Sequence, residues 1–511
     1  MDSKAPSWRV AFLWFLLALV AGLFFAHAAL PGIAPASDLW DYAQEARQLA
    51  RGDGFTSLYT YPVFLGQDQP PFPVRWRMPL YAALGALLLR LGIALPAGFL
   101  YLGALAHALL VALTYRLGAR VVGARAGAWA AACALCCPLL LDFYNPGMSQ
   151  TSATVLALGV WILLLGSGGV LAGALAGVVA AGAWYLRGES VLFVPLWLWT
   201  AARGSGRPWG RATAFGAVYV ALCLPWLITS HAGGGTIQGN PMLLYTAEYP
   251  GYSSSRMLNA TLPGMMEYVS GHPAAFAFRF AKDVGGYLLD LLDGIGPIAI
   301  VTALIGVGIA RGLRPLLRRH TLLLLAIAVQ ILAMSALERS PRFLVPVLPL
   351  VFVVLADAVA PVLAKITRRE VLMGLILVLV LERATRVGFQ RGDALRRFPP
   401  VGTGTAGELR GRATSWPLEG LVLSDAPDWI SWHLDRPAVF LPIWSQLDSL
   451  SAARPVAAIW LSPAARARNV ADRDASWVAT MDQGERPRGF SGPEPLAGGS
   501  TLYVRLRTPP R

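Results

Sequence analysis

Apolar runs long enough to cross a bilayer, separated by short arginine-bearing loops, constrain this chain more than any other feature. A spanning helix needs about 20 mostly apolar residues. The runs are Val10–Ala29, Ala97–Tyr115, Gly127–Phe143, Ser149–Leu165, Gly169–Trp184, Ser190–Ala202, Arg211–Thr229, Gly285–Ala310, Thr321–Leu337, Phe343–Leu363 and Val371–Val387. They predict an α-helical polytopic membrane protein of about eleven spans. The first run follows Lys4 and Arg9 and reads as a signal anchor.

Basic residues orient the runs. Arg116, Arg120 and Arg125 mark one loop, and Arg203, Arg207 and Arg211 a second. Arg311, Arg314, Arg318 and Arg319 mark a third, and Lys365, Arg368 and Arg369 a fourth. All four fall on the cytoplasmic side, as positive-inside charge requires, if the N-terminus is inside and the tail after Val387 is outside. That parity holds only if the apolar segment Pro79–Leu91 does not cross. At 1.5 Å rise per residue it spans about 20 Å, less than a hydrocarbon core. Pro79 suits a helix start and Gly92 a stop, so the segment is expected to lie on the outer interface. Residues 31–96 then form one long outer loop, and 231–284 a second.

Composition agrees with lipid as the main solvent. Of 511 residues, 55% are hydrophobic and 14% charged, where soluble chains carry about 25% charged. The net charge of +14 sits largely in the orienting loops, which argues against nucleic acid as a partner. Cys133, Cys136, Cys137 and Cys223 lie in apolar runs without His or carboxylate companions, and read as packing residues. His107 reads the same way. Residues 1–387 are thus expected to be the membrane domain and 388–511 a small outer α/β domain. In it Leu421–Leu423, Ala438–Leu441, Ala457–Leu461 and Leu502–Leu506 read as strands, with helices at Trp429–Leu434 and Ser445–Ala452.

The first long loop carries the candidate chemistry. Ser37 can cap a helix running to Arg51, closed by Gly52. Asp38, Asp41, Glu45 and Gln48 share one side of it, opposite Leu39, Tyr42, Ala43, Ala46 and Leu49. Asp38 sits in the first turn, where the helix favours an ionised carboxylate, the form a general base needs. The bland alternative is a solvated aspartate that merely satisfies the helix N-terminus. Downstream, Arg75 and Arg77 stand just before the interfacial helix, at headgroup depth, where guanidinium suits phosphate. Generic interfacial anchoring is the alternative there.

Several of these segments resemble the GT-C glycosyltransferases that use polyprenyl-phosphate sugars, including aminoarabinose transferases and protein O-mannosyltransferases. Asp38-Leu-Trp-Asp41-Tyr42 through Gly52-Asp-Gly-Phe looks like their first-loop motif. Arg77-Met-Pro79-Leu-Tyr81 looks like their Lys-Pro-Pro-x-x-Tyr segment, with Arg77 and Met78 as departures. Trp184-Tyr-Leu-Arg187-Gly-Glu189, Pro225-Trp226 through His231, and Arg339-Ser-Pro-Arg342-Phe-Leu-Val-Pro346 are similar to later motifs.

The resemblance implies an inverting sugar transferase on the outer face of the inner membrane. Asp38 would be the base that deprotonates an acceptor hydroxyl. Arg77 and Arg342 would neutralise the leaving lipid phosphate. Arg75, Arg187, Glu189, Asp41, Tyr42 and His231 would help bind substrate. The partners implied are a polyprenyl-phosphate-linked sugar donor, the membrane, and a lipid, glycan or protein acceptor. No cofactor is expected. The cluster Asp38, Asp41 and Glu45 could attract a divalent metal, but no matching second acidic pair accompanies it. A transporter or flippase of a lipid-linked glycan is the competing reading, although internal repeats are not evident. A scaffold using its outer tail is the third.

Overall fold

The computed structural model describes residues 7–30, 33, 37–66, 68–135, 137–141, 148–166, 168–203, 208–232, 254–258, 269–310, 312–337, 339–397, 403–417 and 420–506. The chain forms two compact units, each assembled from discontinuous segments. The first comprises Met1–His27, Phe99–Ile237 and His272–Gly392, and the second Ala28–Gly98, Gln238–Gly271 and Asp393–Arg511.

The first unit is helical. Among the described residues four helices are long and apolar enough to cross a membrane: Trp8–Ala29, Ala97–Val121, Pro208–Ser230 and Leu348–Lys365. Ser149–Leu164, Val170–Leu186 and Thr321–Leu337 are shorter apolar helices. The Trp8–Ala29 helix leaves Phe12, Leu13, Val20 and Phe24 exposed. Such a stripe would be costly in water and suits lipid.

Among the described residues several expected spans begin or break differently. Gly285–Ala310 is not one helix: Pro273–Ile295 and Pro297–Ile309 meet at a 93° bend. Gly296 at the corner takes φ 78°, a conformation glycine adopts without Cβ strain, and Pro297 starts the next helix. Phe343–Leu363 opens as a 3-10 turn, Pro341–Leu344, and becomes α-helical at Leu348. Pro346 and Pro349 lack the amide protons a continuous helix would use. Ser190–Ala202 likewise opens as the 3-10 turn Gly188–Phe193 before Val194–Ala202.

The second unit is α/β. Its strands are β1 (Thr56–Ser57), β2 (Tyr59–Thr60), β3 (Phe72–Pro73), β4 (Leu421–Ser424), β5 (Ala438–Phe440), β6 (Val456–Leu461), β7 (Glu494–Pro495) and β8 (Thr501–Val504). The main sheet has the order β2-β5-β4-β6-β8-β7. Strands β2, β5, β4 and β6 run parallel, and β8 pairs antiparallel with β6 on one side and β7 on the other. Helices Pro427–Leu434 and Leu447–Ala453 supply the crossovers between the parallel strands, as such strands require.

The unit therefore does not begin at residue 388. Tyr59 and Thr60 of the first long loop pair with Ala438 and Val439 and complete the sheet edge. The Asp38–Arg51 helix, capped by the Ser37 hydroxyl and closed by Gly52 at φ 94°, packs against both Pro79–Arg90 and Pro427–Leu434. The Pro79–Arg90 helix buries Tyr81, Ala82, Gly85 and Ala86 and leaves Leu87 and Leu91 exposed. Its 12 residues are too few to span.

Candidate active site

In the second unit the expected polar face of the Asp38–Arg51 helix does not face solvent. Asp41, Glu45 and Gln48 of that face are all buried, because the helix lies between two others and has little free surface. A buried carboxylate must find partners or give up its charge. Asp41 finds them. Its Oδ2 accepts from Arg77 Nε at 2.6 Å. Its Oδ1 accepts from the Tyr59 hydroxyl and from Trp76 Nε1. Trp76 Nε1 also lies 3.1 Å from the Tyr59 hydroxyl.

Arg77 joins this group to Asp38, whose Oδ2 accepts from Nη2 at 3.0 Å. The Asp38 side chain is 24% exposed and that of Asp41 4%, so Asp38 is the more accessible of the two carboxylates. The Arg77 guanidinium also lies over the Tyr42 ring, 4.9 Å from its centre. Tyr42 in turn meets Tyr81 edge-on at 4.8 Å. Burial opposes the charge of Arg77, but Asp38, Tyr42 and Asp41 more than offset it and hold the guanidinium above its ordinary pKa. Glu45 is raised well above the carboxylate range, first by burial and then by the charge of Asp41.

Two expected contacts change here. Arg75 forks onto Asp68, with Nη2 to Oδ1 at 2.8 Å and Nε to Oδ2 at 3.2 Å. Asp68 thus takes two of its nitrogens. Asp41 and Tyr42, expected to touch substrate, are 3% and 1% exposed and instead support Arg77.

Sequence reading did not find Tyr59, Trp76 or Asp428. Asp428 is buried, in the first turn of Pro427–Leu434. Burial, followed by the charge of Asp41, raises its carboxyl well above the usual range. The other end of that helix is held by the Asp38–Arg51 helix. Arg47 donates to the carbonyls of Ser431 at 2.7 Å and Trp432 at 2.9 Å, and Arg51 forks onto Asp435. Only the pairing of distant segments brings these groups together, so no local motif announces them.

In the first unit Arg187 and Arg342 share one aromatic neighbour. Their guanidiniums lie 5.6 and 5.3 Å from the centre of the Phe343 ring. Glu189 accepts from Arg187 Nε at 2.6 Å, so that pair is an ion pair in the structure. Arg187 sits where the Val170–Leu186 helix gives way to the 3-10 turn Gly188–Phe193. His107 donates from Nε2 to the Leu135 carbonyl, 3.1 Å away, a packing role. His231 lies in the last turn of Pro208–Ala232, and its side chain, like Glu338, is outside the described residues. Among the described residues no three His, Cys, Asp or Glu side chains are grouped as metal ligands.

No protein-family model matches the sequence, and no curated protein matches it. Solved structures match the fold. One is ArnT from Cupriavidus metallidurans bound to undecaprenyl phosphate. It superposes at TM-score 0.56 and 14% identity, covering 98% of this chain and 99% of that one. A second is the archaeal oligosaccharyltransferase AglB from Archaeoglobus fulgidus, in complex with an inhibitory peptide and a dolichol-phosphate. It gives TM-score 0.59 and 12% identity, covering 98% of this chain and 75% of that one. The chain has the GT-C fold, as its first-loop and later motifs led us to expect.

Proposed function

We propose that this GT-C chain is a membrane glycosyltransferase. It moves a sugar from a polyprenyl phosphate, such as undecaprenyl phosphate, to a hydroxyl of a lipid, glycan or protein acceptor. The observation that carries the reading is the pairing of Asp38 with Arg77 at the start of a capped helix. A reachable carboxylate stands beside a guanidinium whose charge its neighbours sustain. Asp38 takes the acceptor proton as the hydroxyl oxygen attacks the anomeric carbon. Attack from the face opposite the phosphate inverts that carbon. Arg77 offsets charge on the departing phosphate. Such electrostatic stabilisation is a large part of a barrier when water is excluded. The reaction as proposed needs no metal and takes place at the outer face of the inner membrane. The N-terminus then lies in the cytoplasm and the tail outside.

The test is transfer by purified full-length protein from a synthetic polyprenyl-phosphate sugar to lipid, glycan and peptide acceptors, following release of free polyprenyl phosphate. Asp38→Asn is expected to lower kcat by about 10²–10⁴-fold, the usual contribution of a general base. Activity should survive chelation. Full activity in Asp38→Asn removes that residue as the base. Donor translocation without release of polyprenyl phosphate sinks the transferase reading.

A further inference from the structure

The two carboxylates on Arg77 are not equivalent. Asp41 is held from three sides, by Arg77 Nε, the Tyr59 hydroxyl and Trp76 Nε1. Tyr59 belongs to β2 and is 1% exposed, so it cannot follow a moving partner. Asp38 is more exposed, and its Oδ2 takes Arg77 through Nη2 at 3.0 Å. A guanidinium offers two edges, Nε with one Nη and the pair of Nη groups. Its Nε can therefore stay on Asp41 while the Nη edge changes partner.

A conflict makes that exchange matter. A carboxylate paired with an arginine has one of its oxygens occupied by that donor. Asp38 in the observed pairing is thus poorly prepared for the role proposed above. A donor phosphate brings an anion that competes for the same Nη2 and accepts bidentate hydrogen bonds well.

We infer that Asp41 is a positioning residue that pins Arg77 through Nε, and that Arg77 exchanges Asp38 for the donor phosphate, so that donor binding itself releases the base. This rests on the transferase reading. In the transfer step the C–O bond to phosphate breaks with its electron pair going to the phosphate oxygen. The acceptor oxygen bonds the anomeric carbon, and its proton passes to Asp38. The growing charge on the phosphate draws Nη2 further from Asp38 as Asp38 takes that proton. Binding order follows: an acceptor without donor meets a base still engaged by Arg77.

Carbodiimide coupling of carboxyl groups, quantified by mass spectrometry on the full chain in nanodiscs, tests the exchange. Undecaprenyl phosphate is the probe and undecaprenol the control, with native mass spectrometry confirming that each lipid is bound. Labelling of Asp38 is expected to rise several-fold with undecaprenyl phosphate and not with undecaprenol. In Arg77→Gln it should be high without lipid and unresponsive to it. In Asp41→Asn the response should disappear while the melting temperature stays within a few degrees of the wild type. Unchanged or reduced labelling with bound undecaprenyl phosphate overturns the exchange, as does an equal rise with undecaprenol. A response retained in Asp41→Asn overturns its positioning role. If Asp38→Asn remains active, the base assignment fails. If it is inactive but labelling ignores the lipid, only the exchange fails.

Discussion

At the scale of single residues, burial sets the protonation of the second unit more than sequence neighbours do. His433 stands against the rings of Trp40 and Trp429, 5.1 and 4.4 Å between centres. Burial, and then the charges of Arg410 and Arg47, push its imidazole from 6.5 down to about 4. As pH falls, the unfolded chain takes this proton first. Stability contributed by neutral His433 is therefore complete above about 6.5 and lost progressively toward 4. Glu45 and Asp428 act in the opposite sense, because their raised values favour the folded state at low pH. Comparison with a variant isolates the histidine. The melting temperature of His433→Gln in detergent should fall less steeply between pH 6.5 and 4 than that of the parent chain. Parallel slopes would show that His433 does not titrate in this way.

Single elements in the first unit are joined where small residues let backbones approach. Gly173 and Gly177 sit four apart on the Val170–Leu186 helix, the spacing of a small-residue membrane contact. A Cβ on Gly173 would lie 2.3 Å from the Arg211 carbonyl oxygen, and one on Gly177 2.6 Å from that of Phe215. Both oxygens belong to the Pro208–Ala232 helix. Gly177→Val should destabilise the chain by about 1–3 kcal/mol, the usual cost of overpacking. Gly308, with nothing within 4 Å of its added Cβ, provides the control. Thermal unfolding of Gly177→Val and Gly308→Val in the same detergent checks this, and equal melting temperatures would refute it. Arg211 shows why a charge count says less about elements than about orientation. Its place in the sequence is that of a loop cation, yet it is 1% exposed. Its Nη2 donates to the Leu163 and Leu164 carbonyls at 2.7 and 2.6 Å. It satisfies the open C-terminal carbonyls of Ser149–Leu164, which would otherwise lack partners.

The whole molecule is built from segments that alternate between its two units along the chain. The tail and the first long loop share a sheet, a core and a pair of clamped helices. Trp40 and Tyr59 of the loop lie in the same buried cluster as Trp429 and Trp460 of the tail. Deleting residues 393–511 should therefore unfold the loop as well as remove the tail. Limited proteolysis of the truncated chain is expected to cut between residues 55 and 65, a stretch buried or half-buried in the full chain. Protection unchanged by the deletion would mean that the loop folds without the tail.

Much of this was already legible in the sequence, because local forces decide it. Ser37 and Gly52 mark the two ends of a helix through a hydroxyl and a positive φ, and neither needs a tertiary partner. The strands of the tail and the apolar helices are likewise set by residue pattern and by backbone hydrogen bonding within each segment. Their order also carried the resemblance to GT-C enzymes. Tertiary structure decided the rest. The amphipathic pattern of Asp38–Arg51 gives a solvated side for Asp41 and Glu45, and packing on both flanks buries it instead. Arg75 and Arg77 look alike in sequence. Asp68 occupies the first, while Asp38 and Asp41 share the second. The sequence determined which helices form and which residues could bear charge. Packing determined which charges are spent on one another and which stay within reach, because the cost of a buried charge depends on neighbours that only the folded chain supplies.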